Sequence, residues 1–168
     1  TLLNQNMIYQ KFGLITHLWT EQPWTLLTYM FLHGSFWHLF ANMIGLYFLG
    51  SFVYALIGEN PFLVVYFVGG IIAALTCVVF GYVLGPKLIV GASGAIYALG
   101  GVLVMMRPKT KVFVFPIPVA IPLWVAIIFG FIVVSFYPNV AWEAHLGGLV
   151  FGLIVGYYYR HRERTRYV

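Results

Sequence analysis

Ser93, His145, His38 and Asn42 all lie inside apolar stretches, where a polar side chain is costly and is therefore a functional candidate. A serine hydroxyl becomes a nucleophile when an imidazole within hydrogen-bond reach can accept its proton. The oxyanion formed in such an attack needs donors aimed at it, and an amide, a second imidazole and backbone N–H groups are suitable. Ser93 stands in Gly91-Ala92-Ser93-Gly94 at the opening of an apolar run. A helix start there would offer free N–H groups and the positive dipole end to a developing anion. His38 and Asn42 are spaced i, i+4 and share one helical face. Gly91 and Gly94 would leave the backbone open to a peptide, and Tyr97, one turn after Ser93, is spaced to pack against the His145 ring.

Counting residues toward the polar border of each stretch gives a depth. Ser93 is 14 residues before Arg107 and His145 is 15 before Arg160, so both lie about 21–22 Å above that edge. Asn42 is 17 residues before Glu59, or about 25 Å, with His38 one turn further out. In a hydrocarbon core about 30 Å thick these groups share one layer. Independent polar residues on separate spans need not align this way, and the alignment suggests nucleophilic catalysis.

Each signal has a plainer reading. Small residues such as those around Ser93 ordinarily let helices pack closely, and Gly148-x-x-x-Gly152 is ordinary packing. Ala95 stands where the soluble hydrolase elbow Gly-x-Ser-x-Gly needs its last glycine. A lone His145 would more often be an interhelical hydrogen bonder. His33 and His38 are read as too far apart around a helix for a metal pair, with no third ligand evident, so no metal site and no cofactor are expected.

The elements that must carry these residues follow from composition. Of 168 residues 62% are hydrophobic and 8% charged, with mean hydropathy +0.93 and net charge +5. A soluble domain is about 25% charged, so the chain reads as an all-α polytopic membrane protein. Glu21, Glu59, Glu143 and Glu163 are the whole acidic inventory, and aspartate is absent. That excludes intramembrane aspartyl catalysis and any Ser-His-Asp triad; the zinc motif His-Glu-x-x-His is missing too. Cys77, the single cysteine, makes no intrachain bridge.

Five apolar stretches are expected as spans: Phe36–Ile57, Pro61–Leu84, Ser93–Met106, Phe113–Phe136 and Val140–Tyr159. The third is short, so Lys87 to Gly91 must dip into the membrane or be shielded by neighbouring helices. Residues 1–35 are interrupted by Lys11, His17 and Glu21 and read as a partly embedded outer loop. Trp19, Trp24 and Tyr29 look like its interfacial aromatics. Residues 36–159 form the bundle and residues 160–168 a basic tail. Thr1 is no natural initiator, and the start shows no signal-peptide pattern.

Seven of nine Lys/Arg (Arg107, Lys109, Lys111, Arg160, Arg162, Arg164 and Arg166) lie on one side. The positive-inside rule puts that side in the cytoplasm, with the polar layer opening outward. The expected location is the plasma membrane, with the basic tail near anionic lipid and no nucleic-acid partner.

Three segments together resemble a rhomboid intramembrane serine protease. They are residues 24–42, containing His33-Gly34-Ser35-Phe36-Trp37-His38 and Asn42; Gly91-Ala92-Ser93-Gly94-Ala95-Ile96-Tyr97; and Ala144-His145-Leu146-Gly147-Gly148 through Gly152. The resemblance implies Ser93 as nucleophile and His145 as general base, a dyad without aspartate. It implies His38, Asn42 and the Ser93 N–H as the oxyanion hole, Tyr97 as support for His145, and His33 near a water route. It also implies that the fourth span, with the loop Phe136–Ala141, is a mobile gate. Substrates of such enzymes are membrane proteins with a transmembrane helix, cut in the lipid bilayer near the outer face without a cofactor.

Three departures accompany the resemblance. The family core has six spans, and its first is largely absent here, residues 1–12 being read as its end. The family's Trp-Arg pair reads Trp24-Thr25, and a glutamate common in the second family helix is replaced within Gly50-x-x-x-Tyr54-x-x-x-Gly58. Two rivals stay open: a catalytically silent rhomboid-fold protein that binds client helices, and a small transporter using His38 and His145.

Overall fold

The computed structural model describes residues 2–114, 118–138 and 140–165. Helix α1 (Leu2–Phe12) leads into strand β1 (Leu14–Ile15) and a loop carrying α2 (Thr25–Thr28). Helix α3 (Phe36–Gly45) continues through a π-helical turn (Leu46–Gly50) into α4 (Ser51–Ile57), one 22-residue rod. There follow α5 (Glu59–Leu84), β2 (Leu88–Ile89), α6 (Ser93–Met106), β3 (Lys111–Val112), β4 (Ile121–Pro122), α7 (Leu123–Ser135) and α8 (Trp142–Thr165). Five helical segments thus stand where five spans were expected. The α3–α4 rod and α5 are long and apolar enough to cross a membrane by length and composition, and α6 and α7 are shorter apolar helices.

Helix boundaries follow local chemistry. Ser35 caps α3, its side chain accepting the His38 N–H at 3.1 Å. Gly58 (φ 84°) and Gly85 (φ 89°) bracket α5 in left-handed conformations that other residues adopt at a cost. Helix α5 begins two residues earlier than expected because Pro61 fits a first helical turn, where its missing N–H is not needed.

The stretch expected at Phe113–Phe136 is corrected. Its helix starts only at Leu123, and Lys111–Val112 pairs antiparallel with Ile121–Pro122 before it. Hydropathy counts Val114, Val119 and Ile121 as span, but Pro118 and Pro122 supply no N–H to a helical ladder. Residues 115–117 of that stretch lie outside the described residues, as do Asn139 of the expected gate loop and 166–168 of the tail. Helix α8 runs past the expected end at Tyr159 to Thr165.

Helix α6 is the centre, buried from Gly94 through Leu103 apart from Tyr97. Helix α8 lies on it with almost no side chain between. A Cβ at Gly148 or Gly152 would overlap the carbonyls of Gly94 or Ala98, and one at Gly101 would fall 2.6 Å from the Leu149 carbonyl. In a membrane, where lipid is as apolar as leucine, such close approach is a main source of helix affinity. Ala98, Leu99, Val102 and Leu103 form the core at the basic end, and Tyr29, Met30, Ala73 and Ala95 form it at the Ser93 end.

The shortness of α6 is resolved by the N-terminal loop. Leu14 pairs with Ile89 and Ile15 with Leu88, so the strand entering α6 has its backbone polar groups bonded. At the other end Arg107 donates to both Glu163 oxygens, at 2.8 and 2.7 Å. Those hydrogen bonds hold the Glu163 carboxyl below the usual carboxylate range. Its small stabilisation is complete at neutral pH and is lost as pH falls through that depressed value.

Gly152→Val should cost more than about 3 kcal/mol, because backbone cannot move aside as a side chain does. Thermal unfolding in detergent checks this. Val150→Leu, at a position 46% exposed on the same helix, should leave the melting temperature nearly unchanged.

Candidate functional site

Ser93 is the first residue of α6, so its N–H has no acceptor within the helix. Gly91 precedes it at φ 116°, and its N–H donates to the Tyr29 carbonyl at 2.9 Å. A Cβ at Gly91 would lie 2.7 Å from Cε1 and Nε2 of His38 and 3.9 Å from Asn42 Nδ2. Glycine is therefore required twice here, by backbone angle and by the ring pressed against it.

His145, in the first turn of α8, is 4% exposed. Its Nε2 lies 2.7 Å from Ser93 Oγ. Its Nδ1 is buried without a hydrogen-bond partner among the described residues. The ring is instead held by Tyr97, whose ring lies 4.6 Å away at 31° and meets Phe131 edge-on at 5.9 Å.

Helix α3 brings the other pair. Asn42, 5% exposed, donates from Nδ2 to the His38 carbonyl at 2.8 Å, leaving a second amide hydrogen available. The Gly34 N–H donates to His38 Nδ1 at 3.4 Å, which fits a neutral ring with its hydrogen on Nε2. Ser93, His145, His38, Asn42, Tyr97 and Gly91 all line one cavity of about 1060 Å³. Ala126, Gly130 and Val134 of α7 and Tyr137 of the following loop form its far wall.

Two expected site residues sit elsewhere. Gly94 packs on Ala73, where a Cβ would come within 2.5 Å, and on the approach of Gly148, so it serves helix contact and does not line the cavity. His33 lies in the loop before α3, where helical-wheel spacing does not apply. Its ring is 5.2 Å from that of His38, and it opens on a separate space of about 300 Å³. Among the described residues no group of three His, Cys, Asp or Glu side chains converges to hold a metal.

Other residues went unread. Tyr29, expected at the interface, is 1% exposed: its hydroxyl donates to the Gly70 carbonyl at 2.8 Å, while its own carbonyl holds Gly91. The departure at Thr25 is absorbed locally. Its buried hydroxyl donates to the Gln22 carbonyl at 2.6 Å, and Trp24 and Thr28 donate to the Lys11 and Phe12 carbonyls that end α1. Tyr54 is half-exposed, edge-on to Phe62, and leaves no buried polar group.

A polytopic helical bundle with a serine and a histidine hydrogen-bonded at one end of a cavity is the class these observations define. Residues 20–162 match the Rhomboid domain, and the chain belongs to the rhomboid family. It is 28% identical to Rhomboid protein 1, mitochondrial, of Saccharomyces cerevisiae, over 89% of this chain and 45% of that protein. It is 34% identical to Rhomboid protease GluP of Bacillus subtilis, over 77% of this chain and 24% of that one. With Rhomboid protease GlpG of Haemophilus influenzae it shares 32% identity, over 82% of this chain and 70% of that one. The chain thus spans less than half the length of the first two. Family membership and the apolar helices make it an integral membrane protein.

Gly91→Ala should displace the His38 ring and strain the backbone by about 1–2 kcal/mol. A lowered melting temperature together with a changed His38 ring signal in NMR of histidine-labelled protein checks this, and an unmoved ring would refute the contact.

Proposed function

We propose that this chain is an intramembrane serine endopeptidase that cuts membrane-protein substrates in or near a transmembrane helix. The observation carrying the reading is the 2.7 Å contact between Ser93 Oγ and His145 Nε2 on the wall of a cavity that also presents His38 and Asn42. That two relatives are named proteases supports the same chemistry here.

In this reading His145 Nε2 takes the Ser93 proton as Oγ attacks the substrate carbonyl. The oxyanion is received by the Ser93 N–H, the free amide hydrogen of Asn42 and Nε2–H of His38. His145 then returns the proton to the leaving amine, and water releases the acyl group from Ser93. Among the described residues no carboxylate backs the histidine, so the Tyr97 ring keeps its orientation. Helix α7 and the connection after it, whose Tyr137, Pro138, Val140 and Ala141 line the cavity, are the gate for a substrate helix. His33, outside the cavity, serves water supply. We assign the basic end to the cytoplasm and the site to the outer side of the plasma membrane, following the charge distribution. Mitochondria, which the name of the yeast relative specifies for that protein, are the other membrane to examine.

Detergent-solubilised protein should react with a fluorophosphonate probe, and Ser93→Ala and His145→Ala should each abolish labelling while remaining folded. Asn42→Ala should lower cleavage of a single-span substrate by about 10²–10³ in rate. Tyr97→Phe should stay close to wild type and Tyr97→Ala should not. A folded wild type that neither labels nor cleaves would overturn the protease reading and favour the silent rhomboid-fold protein that binds client helices.

A further inference from the structure

We propose that the ion pair between Lys87 and Glu143 is an anchor that fixes the first turn of α8, and with it His145, while the segment leading into that turn moves. Both are positioning residues, and the inference rests on the protease reading of Ser93 and His145.

Glu143 is two residues before His145, and its side chain is 2% exposed. Its Oε1 meets Lys87 Nζ, and its Oε2 has no partner among the described residues. Lys87 is six residues before Ser93, directly before β2, the strand that leads to α6. Its backbone is held from both sides. The Lys87 N–H donates to Thr16 Oγ1 at 3.0 Å, and the Thr16 N–H donates to the Lys87 carbonyl at 3.0 Å. Thr16 is 2% exposed and seated against Gly81, where a Cβ would fall 2.7 Å from its hydroxyl. The same strand is pinned at Gly91 by the Tyr29 carbonyl. Lys87 therefore projects its ammonium group from a fixed support.

The α8 side is held more loosely. The His145 N–H reaches the Ala141 carbonyl at 3.4 Å, a long hydrogen bond for a first turn. The residues before it belong to an exposed connection, with Phe136 84% and Tyr137 69% exposed. Only Leu123 and Ile127 of α7 are buried. Trp142 adds an apolar contact to Phe80. Among the described residues, Lys87–Glu143 and Ser93–His145 are the hydrogen bonds between side chains on this turn, and the buried Cys77 thiol of α5 meets the Ala144 backbone beside them.

A buried carboxylate is expensive, and an apolar pair of similar size would often be as stable. What an apolar pair lacks is direction. This one joins the strand feeding the serine to the turn carrying the histidine by a route independent of the α6–α8 contact. Motion at residues 136–138 then stops at Glu143 and does not reach the imidazole.

Lys87→Met, Lys87→Arg and the double variant Lys87→Met/Glu143→Gln test this in the full chain. Hydrogen exchange at residues 142–146 and the separate kcat and KM for a single-span substrate are measured beside the melting temperature. Lys87→Met should speed exchange there and lower kcat, each by about tenfold or more, with KM within about twofold, because misplacement of a catalytic group acts on the bound state. Lys87→Arg should restore both. The double variant leaves no buried unpaired charge, so it should recover the melting temperature yet keep fast exchange and low kcat. Recovery of kcat in the double variant, or unchanged exchange in Lys87→Met, would overturn the anchor. A wild type without labelling or cleavage overturns the protease reading instead, and the exchange data then decide the anchor alone.

Discussion

Backbone meets backbone between α6 and α8, and the rest of the molecule is arranged around that contact. Gly148, Gly152 and Gly156 face Gly94, Ala98 and Val102 one turn apart, with Gly101 answering from α6. Side chains at a helix interface can change rotamer and shift the axes, whereas carbonyls in contact cannot. The consequence reaches the chemistry directly. Ser93 opens α6 and His145 lies in the first turn of α8, so the helices that touch most closely also carry the two groups that lie within hydrogen-bond distance. Gly94 and Gly148, one and three residues from those groups, belong to the same seam.

Close packing sets the distance between axes but leaves the helix starts to be finished by other elements. Helix α6 has fourteen residues, so its entry strand lies within the bundle and needs hydrogen-bond partners that lipid cannot supply. The N-terminal loop provides them through β1, Thr16 and the Tyr29 carbonyl. Tyr29 is itself fixed by the bare carbonyl of Gly70 on α5. Glycine again permits the approach, since a Cβ at Gly70 would collide with Met30. The loop is thus a structural part of the site, although none of its side chains is assigned to the nucleophile, the base or the oxyanion hole in the proposed reaction.

Much of this was legible in the sequence, for local reasons. The α3–α4 rod and α6 begin and end where read because Ser35, Gly58, Gly91 and the Arg107-Pro108 pair mark their limits. Ser93, His145, His38 and Asn42 share a cavity, and helical rise, which converts residue counts into depth, already puts Ser93, His145 and Asn42 near one level with His38 a turn further out. Elsewhere a local rule met a nonlocal partner. Tyr29 reads as interfacial until Gly70, 41 residues away, accepts its hydroxyl. Lys87, at a break between spans, and Glu143, one of four glutamates, have no visible connection until the fold closes 56 residues between them. A helical wheel misplaces His33 because no helix passes through it, and hydropathy overextends the α7 stretch because it does not register a missing N–H.

A serine–histidine pair without a carboxylate raises the question of what holds the imidazole. In a triad the third residue fixes both tautomer and ring plane by hydrogen bonding Nδ1. Here Nδ1 is buried and unpartnered among the described residues, and the chain contains no aspartate. Orientation must then come from shape. Tyr97 stacks on the ring from α6, one turn below the serine, and is backed by Phe131 of α7. Ser93 and the stacking partner Tyr97 are therefore referenced to one rigid helix, and His145 comes from another. The weak point of such a design is the frame of that second helix at its first turn, where hydrogen bonding is incomplete and the neighbouring segment is exposed. A fold that replaces a carboxylate with stacking has most need of a fixed anchor at that turn.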